Sequence, residues 1–427
     1  MAKQIKAIKC PHCGSIGKTE VKADHFKCTS CNTEYYLDND DININHNINF
    51  NSSTPFSDPS TAKRIGLVVG GVVAVFILFT FIIPSLFSSR KSYPAKENVR
   101  AEYSWYSTDV SAYANKDGRP IVVVLGVRRY SGDDHENETG EYISFYDLLT
   151  DKELKTQKTG TFSLSNGNNF ELKQFSDNNF YGIANKERVY KIDKENLLAS
   201  DVTQSLFKDH AKLASGIANA VFAYDSYGEA FNVMSNEGTN VFFYPLVNKI
   251  YTMDEVYVEK RKLEVAVPNE VLQTRFEFSH KSDDYPEEKI QLFKYTKRDT
   301  KGGPDDNVIL EWQETASTHE KNITFGTNIM RSYVDLTPGR LYFNPKVLYS
   351  DDNYVIITSN KTAAESAPTN IQCIDARDGK LIFTYPFPTN QNFNECIKYK
   401  DGFVVGSYNF FLAIGLDGKL IKEFKIK

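Results

Sequence analysis

Apolar and polar positions alternate on different scales in different parts of this chain. Over residues 65–87, IGLVVGGVVAVFILFTFIIPSLF, no side chain is charged; Lys63 and Arg64 precede the run, and Arg90 and Lys91 follow it. A helix rising ~1.5 Å per residue needs about 20 residues to cross a ~30 Å hydrocarbon core, so the run predicts one transmembrane helix with its charges at the headgroups. From Tyr103 onward helical spacing almost vanishes. Short apolar or alternating runs recur between clusters of Asp, Asn, Gly and Lys, which predicts an all-β region. Strands are expected at residues 121–129, 142–148, 170–175, 188–192, 241–244, 289–296, 308–313, 354–358, 370–374, 402–407 and 411–414. The one helix expected in this part lies near residues 201–212.

Ahead of the apolar run, Cys10-Pro11-His12-Cys13 and Cys28-Thr29-Ser30-Cys31 repeat a C-x2-C spacing. Two thiolates on a tight turn grip one face of a metal ion, and a second such turn completes a tetrahedron. Gly14 follows the first pair, where a positive φ is often needed. The knuckles resemble those of a zinc ribbon over roughly residues 8–37, which implies zinc held by Cys10, Cys13, Cys28 and Cys31; iron in a rubredoxin-like site is the rival metal. A closed four-thiolate site leaves no position for a substrate, and about 35 residues cannot bury enough apolar surface to fold unaided, so the metal is expected to be structural. His12 and His25 lie nearby but are surplus to a filled coordination sphere.

These features divide the chain into a ribbon at residues 1–37, an Asn-rich flexible linker at 38–62, the membrane helix with its charged flanks at 63–91, and a large β domain at 100–427. The Ile/Asn alternation within the linker also fits an edge strand. In the helix, Gly66, Gly70 and Ala74 recur every fourth residue, a spacing that lets helices pack closely and suggests a homodimer or docking onto another membrane helix. Sidedness is contested. Zinc-binding thiolates persist in a reducing compartment, which places the ribbon in the cytoplasm. The flanks lean the other way, with Arg90, Lys91, Lys96 and Arg100 after the run against Lys63 and Arg64 before it. The cysteines weigh more, so the ribbon is expected inside and the large domain outside, where Cys373 and Cys396 are either a disulfide or two buried thiols.

Within the large domain the sequence repeats itself. Residues 370–385, NIQCIDARDGKLIFTY, and 411–424, FLAIGLDGKLIKEF, each read as strand, Asp/Gly/Lys-rich turn and strand, with looser copies at 144–154 and 189–198. These units resemble the blades of PQQ-like and WD-like β-propellers. The stretch 373–383 is nearest to the PQQ-type pattern but carries Cys373, Asp378 and Phe383 where that pattern has Ala, Thr and Trp. In such blades tryptophans lock neighbours together while separate residues bind quinone and calcium, and this domain has only two tryptophans, Trp105 and Trp312, so the resemblance implies the architecture and not the cofactor. At ~45 residues per blade the domain would hold about seven blades, with six or eight allowed. A pair of β-sandwiches is the alternative.

Composition narrows the function without naming it. Residues 88–427 carry 42 Lys and Arg against 48 Asp and Glu, a balance of −6 with no basic stripe, so no nucleic-acid partner is expected. The acidic pairs Asp133-Asp134, Asp283-Asp284, Asp305-Asp306 and Asp351-Asp352 lack calcium-loop spacing, and His135, His210, His280 and His319 are scattered. Sequons at Asn137, Asn322 and Asn360 matter only in a eukaryotic secretory pathway. No catalytic motif emerges. The expectation is a mostly β, single-pass membrane-anchored binding or scaffold protein with protein partners, its ribbon an interaction module across the bilayer. The alternative is an enzyme or signal transducer with a site in the propeller funnel, for which the sign would be desolvated carboxylates clustered at one mouth.

Overall fold

The structure is a computed structural model that describes Cys10 and residues 14–22, 25–31, 33–36, 102–131, 137–162, 168–315, 319–323, 329–408 and 410–426. The apolar run, the linker, Gly66, Gly70, Ala74, His12, Cys13, Asp133, Asp134 and His135 lie outside the described residues. No helix among the described residues is long and apolar enough to cross a membrane.

Among the described residues, 102–426 build six antiparallel blade sheets around a ring and one further two-stranded pair. Blade 1 comprises Tyr103–Ala114, Pro120–Tyr130, Gly140–Asp147 and Lys152–Thr161; blade 2 comprises Phe170–Gln174, Phe180–Ala184, Arg188–Asp193 and Leu198–Asp201. Blade 3 follows with Ile217–Phe222, Phe231–Ser235, Asn240–Tyr244 and Lys249–Tyr251, and blade 4 with Leu272–Phe278, Leu292–Arg298 and Met330–Asp335. Blades 5 and 6 run Lys346–Ser350, Tyr354–Asn360, Thr369–Asp375, Leu381–Pro386, and Glu395–Tyr399, Gly402–Ser407, Phe410–Gly415, Leu420–Lys425. First strands touch between blades 1 and 2, 2 and 3, 4 and 5, and 5 and 6, and blade 6 meets blade 1 through Glu395–Tyr399 and Tyr103–Ala114; blades 3 and 4 meet through the Gly228–Pro304 bridge and the Lys260–Asp306 ion pair. This is a β-propeller. Each blade is continuous in sequence, so the ring closes without an exchanged strand.

The count of six falls at the low end of the expected range because blades consume more chain than 45 residues. Tyr103 and Phe170, the starts of blades 1 and 2, are 67 positions apart, and blade 4 contains a long excursion between its second and third strands. Part of that excursion was expected to be a strand at 308–313. Instead Val308 and Leu310 are buried outside any strand, Ile309 makes an isolated bridge, and Gln313–Glu314 pairs with Lys321–Asn322. The helix near 201–212 shrinks to Thr203–Phe207 and a 3₁₀ turn at Ala211–Leu213. A helix at Met253–Lys262 was not foreseen, since only Val256 is buried in it. Its start is fixed by a capping box: Glu255 N–H donates to Thr252 Oγ1, and Thr252 N–H donates to Glu255 Oε2 at 2.6 Å.

Period-2 patterning explains the packing. In Pro120–Tyr130, Val122 and Val124 face blade 6, whereas Val123, Leu125 and Val127 face blade 2. Middle strands are therefore apolar on both faces, and each fully buried Val or Leu contributes roughly 1.5–3 kcal/mol. Analogous clusters fill the seams between blades 2 and 3, 4 and 5, and 5 and 6. The repeated hairpins join the third and fourth strands. Asp147, Asp193 and Asp375 each accept main-chain N–H groups from the turn that follows. Gly379 closes one such turn with φ +72°, and an added Cβ would sit 1.9 Å from Leu336 O.

Candidate metal centre and channel carboxylates

The N-terminal module is a three-stranded antiparallel sheet of Lys18–Lys22, His25–Cys28 and Glu34–Tyr36. It delivers Cys28 and Cys31 beside Cys10, all three buried, with their Sγ atoms within 4.8 Å of one another. Local main-chain bonds shape the knuckles. Gly14 N–H donates to Cys10 O at 2.9 Å, Cys10 N–H donates to Ser15 O at 2.8 Å, and Gly14 takes φ +72° as expected. Ser30 N–H points at Cys28 Sγ from 3.4 Å. The Cys10 and Cys31 sulfurs are 3.7 Å apart. Thiolates ~2.3 Å from one tetrahedral zinc ion lie about 3.8 Å from each other, so the spacing fits a metal held between them. Cys13, the fourth expected ligand, lies outside the described residues. His25 approaches Glu34 at 3.4 Å on the sheet. Leu381 of blade 5 packs against the cysteine cluster, and a Cβ on Gly14 would lie 3.5 Å from Arg340 Nε.

Around the channel, carboxylates that the sequence did not mark out take a repeated role. Glu395, on the first strand of blade 6, accepts Ser111 Oγ–H at 2.6 Å and Ala112 N–H at 2.7 Å from the first strand of blade 1. Asp109 of blade 1 accepts Leu172 N–H of blade 2 at 2.6 Å. Glu171 of blade 2 accepts Phe222 N–H of blade 3 at 3.2 Å. Each acid thus clasps the inner strand of the next blade, satisfying an N–H that the pairing of its own sheet leaves over. The cost is desolvation. Burial, with Asp109 as a nearby like charge, pushes Glu395 up to about 7. Burial, with Glu171 as its like charge, pushes Asp109 up to about 6, against the pull of two main-chain N–H bonds. Burial also raises Glu277, on the first strand of blade 4. A signal existed in the sequence: single acids interrupting runs of small and apolar residues, as in 109–114, DVSAYA.

The seam between blades 6 and 1 also holds Arg128, which is almost fully buried. Its Nη2 donates to Ser144 Oγ at 2.5 Å and Tyr146 Oη at 3.1 Å and pairs with Glu153 at 2.6 Å. The guanidinium lies over the rings of Tyr103 and Trp105, at 4.1 and 4.8 Å.

In the three acidic pairs that the structure describes, at least one carboxylate of each is engaged by the protein itself. Lys297 binds Asp305 at 2.8 Å and Lys260 binds Asp306 at 2.9 Å, while Asp351 accepts Asn353 and Tyr354 N–H and Asp284 accepts Glu314 N–H. Among the described residues the cysteine cluster is the one group of three or more metal-ligating side chains gathered closely. Cys373 and Cys396 pack in one cluster between blades 5 and 6 without a disulfide, and burial pushes the Cys373 thiol up to about 12.

No family model matches the chain, and no curated protein matches it in sequence. Among solved structures it is similar to the Dos1 propeller, at 12% identity over 76% of each chain with a TM-score of 0.23. A structure from the GH130 family of mannoside phosphorylases and glycoside hydrolases is similar at 10% identity, over 75% of this chain and 84% of the other, with a TM-score of 0.25. A europium-containing methanol dehydrogenase is similar at 10% identity, over 75% and 77%, with a TM-score of 0.17. Similarity at this level transfers neither fold nor activity, and the propeller assignment rests on the sheets themselves.

Proposed function

We propose that this chain is a membrane-anchored β-propeller scaffold that binds protein partners, with a zinc ribbon as a second, separate interaction module. What carries the reading is the use of the inner-strand acids: Asp109, Glu171 and Glu395 are spent on clasping blades. Desolvated carboxylates were the sign expected of a funnel enzyme. Here each has a main-chain partner that accounts for it, which favours a rigid binding disc over a reactive site. In the ribbon, Cys10, Cys28 and Cys31 would hold zinc together with Cys13, and the ion would fix the two knuckles of a module too small to fold alone.

Residues 65–87 serve in this proposal as the single membrane crossing, with the ribbon on the cytoplasmic side and the propeller outside. A crossing and the contact of Leu381 with the cysteine cluster exclude each other within one chain. Their magnitudes differ. Sixteen Ile, Leu, Val and Phe side chains at roughly 0.3–0.6 kcal/mol each favour insertion by about 5–10 kcal/mol. Burying one leucine is worth at most about 3 kcal/mol. The proposal therefore keeps the crossing. Gly66, Gly70 and Ala74 form its homodimer face, and Gly70→Ile should remove a crosslinked dimer from membranes.

Alkaline carbonate washing and spheroplast proteolysis test the arrangement together. The full chain should stay with the membrane, a variant lacking residues 65–87 should leave it, and protease should consume the propeller while sparing the ribbon. Release of the full chain by carbonate would refute the anchor. Chemical crosslinking on intact membranes should join the propeller to specific proteins, and a chain recovered free of partners would refute the scaffold.

A further inference from the structure

Among the described residues five blades have four strands, and blade 4 has three. After its third strand, Met330–Asp335, the chain does not turn back to pair with it. Instead Leu336 and Tyr342 enter the seam with blade 5, packing with Phe276, Phe278, Val355 and Ile357, and the next strand is already Lys346–Ser350. The outer edge of Met330–Asp335 therefore occupies the position at which every other blade adds a strand.

Register defines what that edge offers. Leu336 N–H donates to Leu292 O at 2.8 Å, and Val334 pairs with Lys294 two residues earlier. In an antiparallel ladder alternate residues turn their N–H and C=O to opposite sides. Val334 thus faces the second strand, while Tyr333 and Asp335 turn theirs outward. Among the described residues nothing hydrogen-bonds to those outward main-chain groups. The side chains beside them are open as well, Tyr333 being 48% and Val334 54% exposed.

The five completed blades guard their outer strands against pairing. Lys152–Thr161 carries three lysines, Leu198–Asp201 ends on Asp201, Lys249–Tyr251 begins with Lys249, Leu381–Pro386 ends on Pro386, and Leu420–Lys425 carries Lys422, Glu423 and Lys425. Charges and proline of this kind discourage strand addition. Blade 4 has no such guard over Ser332–Val334. The two charges of Met330–Asp335 are drawn aside, Arg331 by Glu270 at 2.5 Å and by Leu263 O and Ile329 O, and Asp335 by Gln291 Nε2–H and Thr337 N–H, each at 3.0 Å.

We propose that the outer edge of blade 4 is a docking site for an extended segment of a partner protein, which adds as the fourth strand. The outward N–H and C=O of Tyr333 and Asp335 call for a strand rather than a helix or a lipid. The exposed Tyr333 and Val334 call for apolar or β-branched residues opposite them. This inference rests on the scaffold reading and deepens it by naming the surface and the form of the ligand.

Random short peptides displayed on phage, selected on the full chain in nanodiscs, provide the probe. Enriched peptides, remade synthetically, should slow amide exchange at Tyr333 and Asp335. Tyr333→Pro removes the outward N–H and the exposed ring while sparing the hydrogen bonds to the second strand, and should weaken them about tenfold or more. Val334→Lys, which installs a guard without touching the ladder, should do the same even if the proline variant fails to fold. Leu420→Lys, on the guarded edge of blade 6, should have no effect. Enriched peptides insensitive to both blade 4 substitutions would overturn the proposal, as would the absence of any enrichment. Dimers of the free chain that Tyr333→Pro dissolves would assign the edge to a second copy and overturn it equally. If partners still crosslink to the propeller in either case, the scaffold reading survives alone.

Discussion

Glu395 offers the sharpest test of how the ring is closed. Its carboxyl, ordinarily at 4.5, is pushed to about 7 where it bridges blades 6 and 1. A displacement of that size means the folded chain holds the proton about 3 kcal/mol more tightly than the unfolded chain does. Because the folded value is the higher one, this stabilisation is complete below about pH 4.5 and is lost as pH rises to and through 7. Asp109, raised from 3.8 to about 6, acts in the same sense at lower pH. Glu270, held at about 2 by Arg331 and Arg298, loses its contribution only below its ordinary value and so does not mask the effect. Glu395→Gln keeps an acceptor for Ser111 Oγ–H and Ala112 N–H but never ionises. At pH 8 it should melt above the parent by up to about 6 °C, at ~2 °C per kcal/mol, and the two should converge near pH 5. Glu395→Ala should be less stable at pH 5 by roughly 1–3 kcal/mol, because Ala112 N–H loses its acceptor. Calorimetry of the full chain in detergent from pH 5 to 8 reads all three proteins. If the glutamine variant melts with the parent's pH slope, the seam carboxylate is not the titrating group and the argument fails.

Two further outcomes follow from local geometry. Cys28→Ser should abolish equimolar zinc in purified protein, read by atomic emission, and unprotect the amides of Lys18–Lys22 and His25–Cys28 while leaving the blades protected. Gly379→Ala should lower the unfolding free energy read from urea titration by about 2 kcal/mol or more, since its Cβ would strike Leu336 O; Gly339→Ala, with φ +79° but open space, should cost only about 1 kcal/mol. Equal losses at the two glycines would mean that Leu336 moves aside freely.

The hairpins were legible because their chemistry is local. An Asp that caps a turn and a Gly with positive φ leave a short, repeated signature, as at Asp375 and Gly379. Buried central strands such as Pro120–Tyr130 announce themselves by an apolar run. The first strand of blade 1, Tyr103–Ala114, did not: its YSWYSTDVSAYA breaks up the apolar positions with Ser, Thr and Asp because an inner strand faces the channel. The clasps were hidden for a related reason. Ser111 and Glu395 are 284 positions apart, and no spacing rule links residues that only ring closure brings together. The helix Met253–Lys262 was missed because one buried valine makes no stripe, although Thr252 and Glu255 spelled its start. The cysteines were the plainest site, since the metal's geometry is written directly into their spacing.

The ring's closure without strand exchange has a mechanical consequence. Any load borne by the chain ahead of residue 102 enters the disc at Tyr103–Ala114, the innermost strand of blade 1, which pairs along its whole length with Pro120–Tyr130 alone. Tension there pulls on the same strand that Glu395 grips at Ser111 and Ala112, with no continuous backbone between blades 6 and 1 to share it. A pull on that strand therefore bears first on the one junction of the ring that no backbone crosses, where the Glu395 hydrogen bonds to Ser111 and Ala112 help hold blades 6 and 1 together.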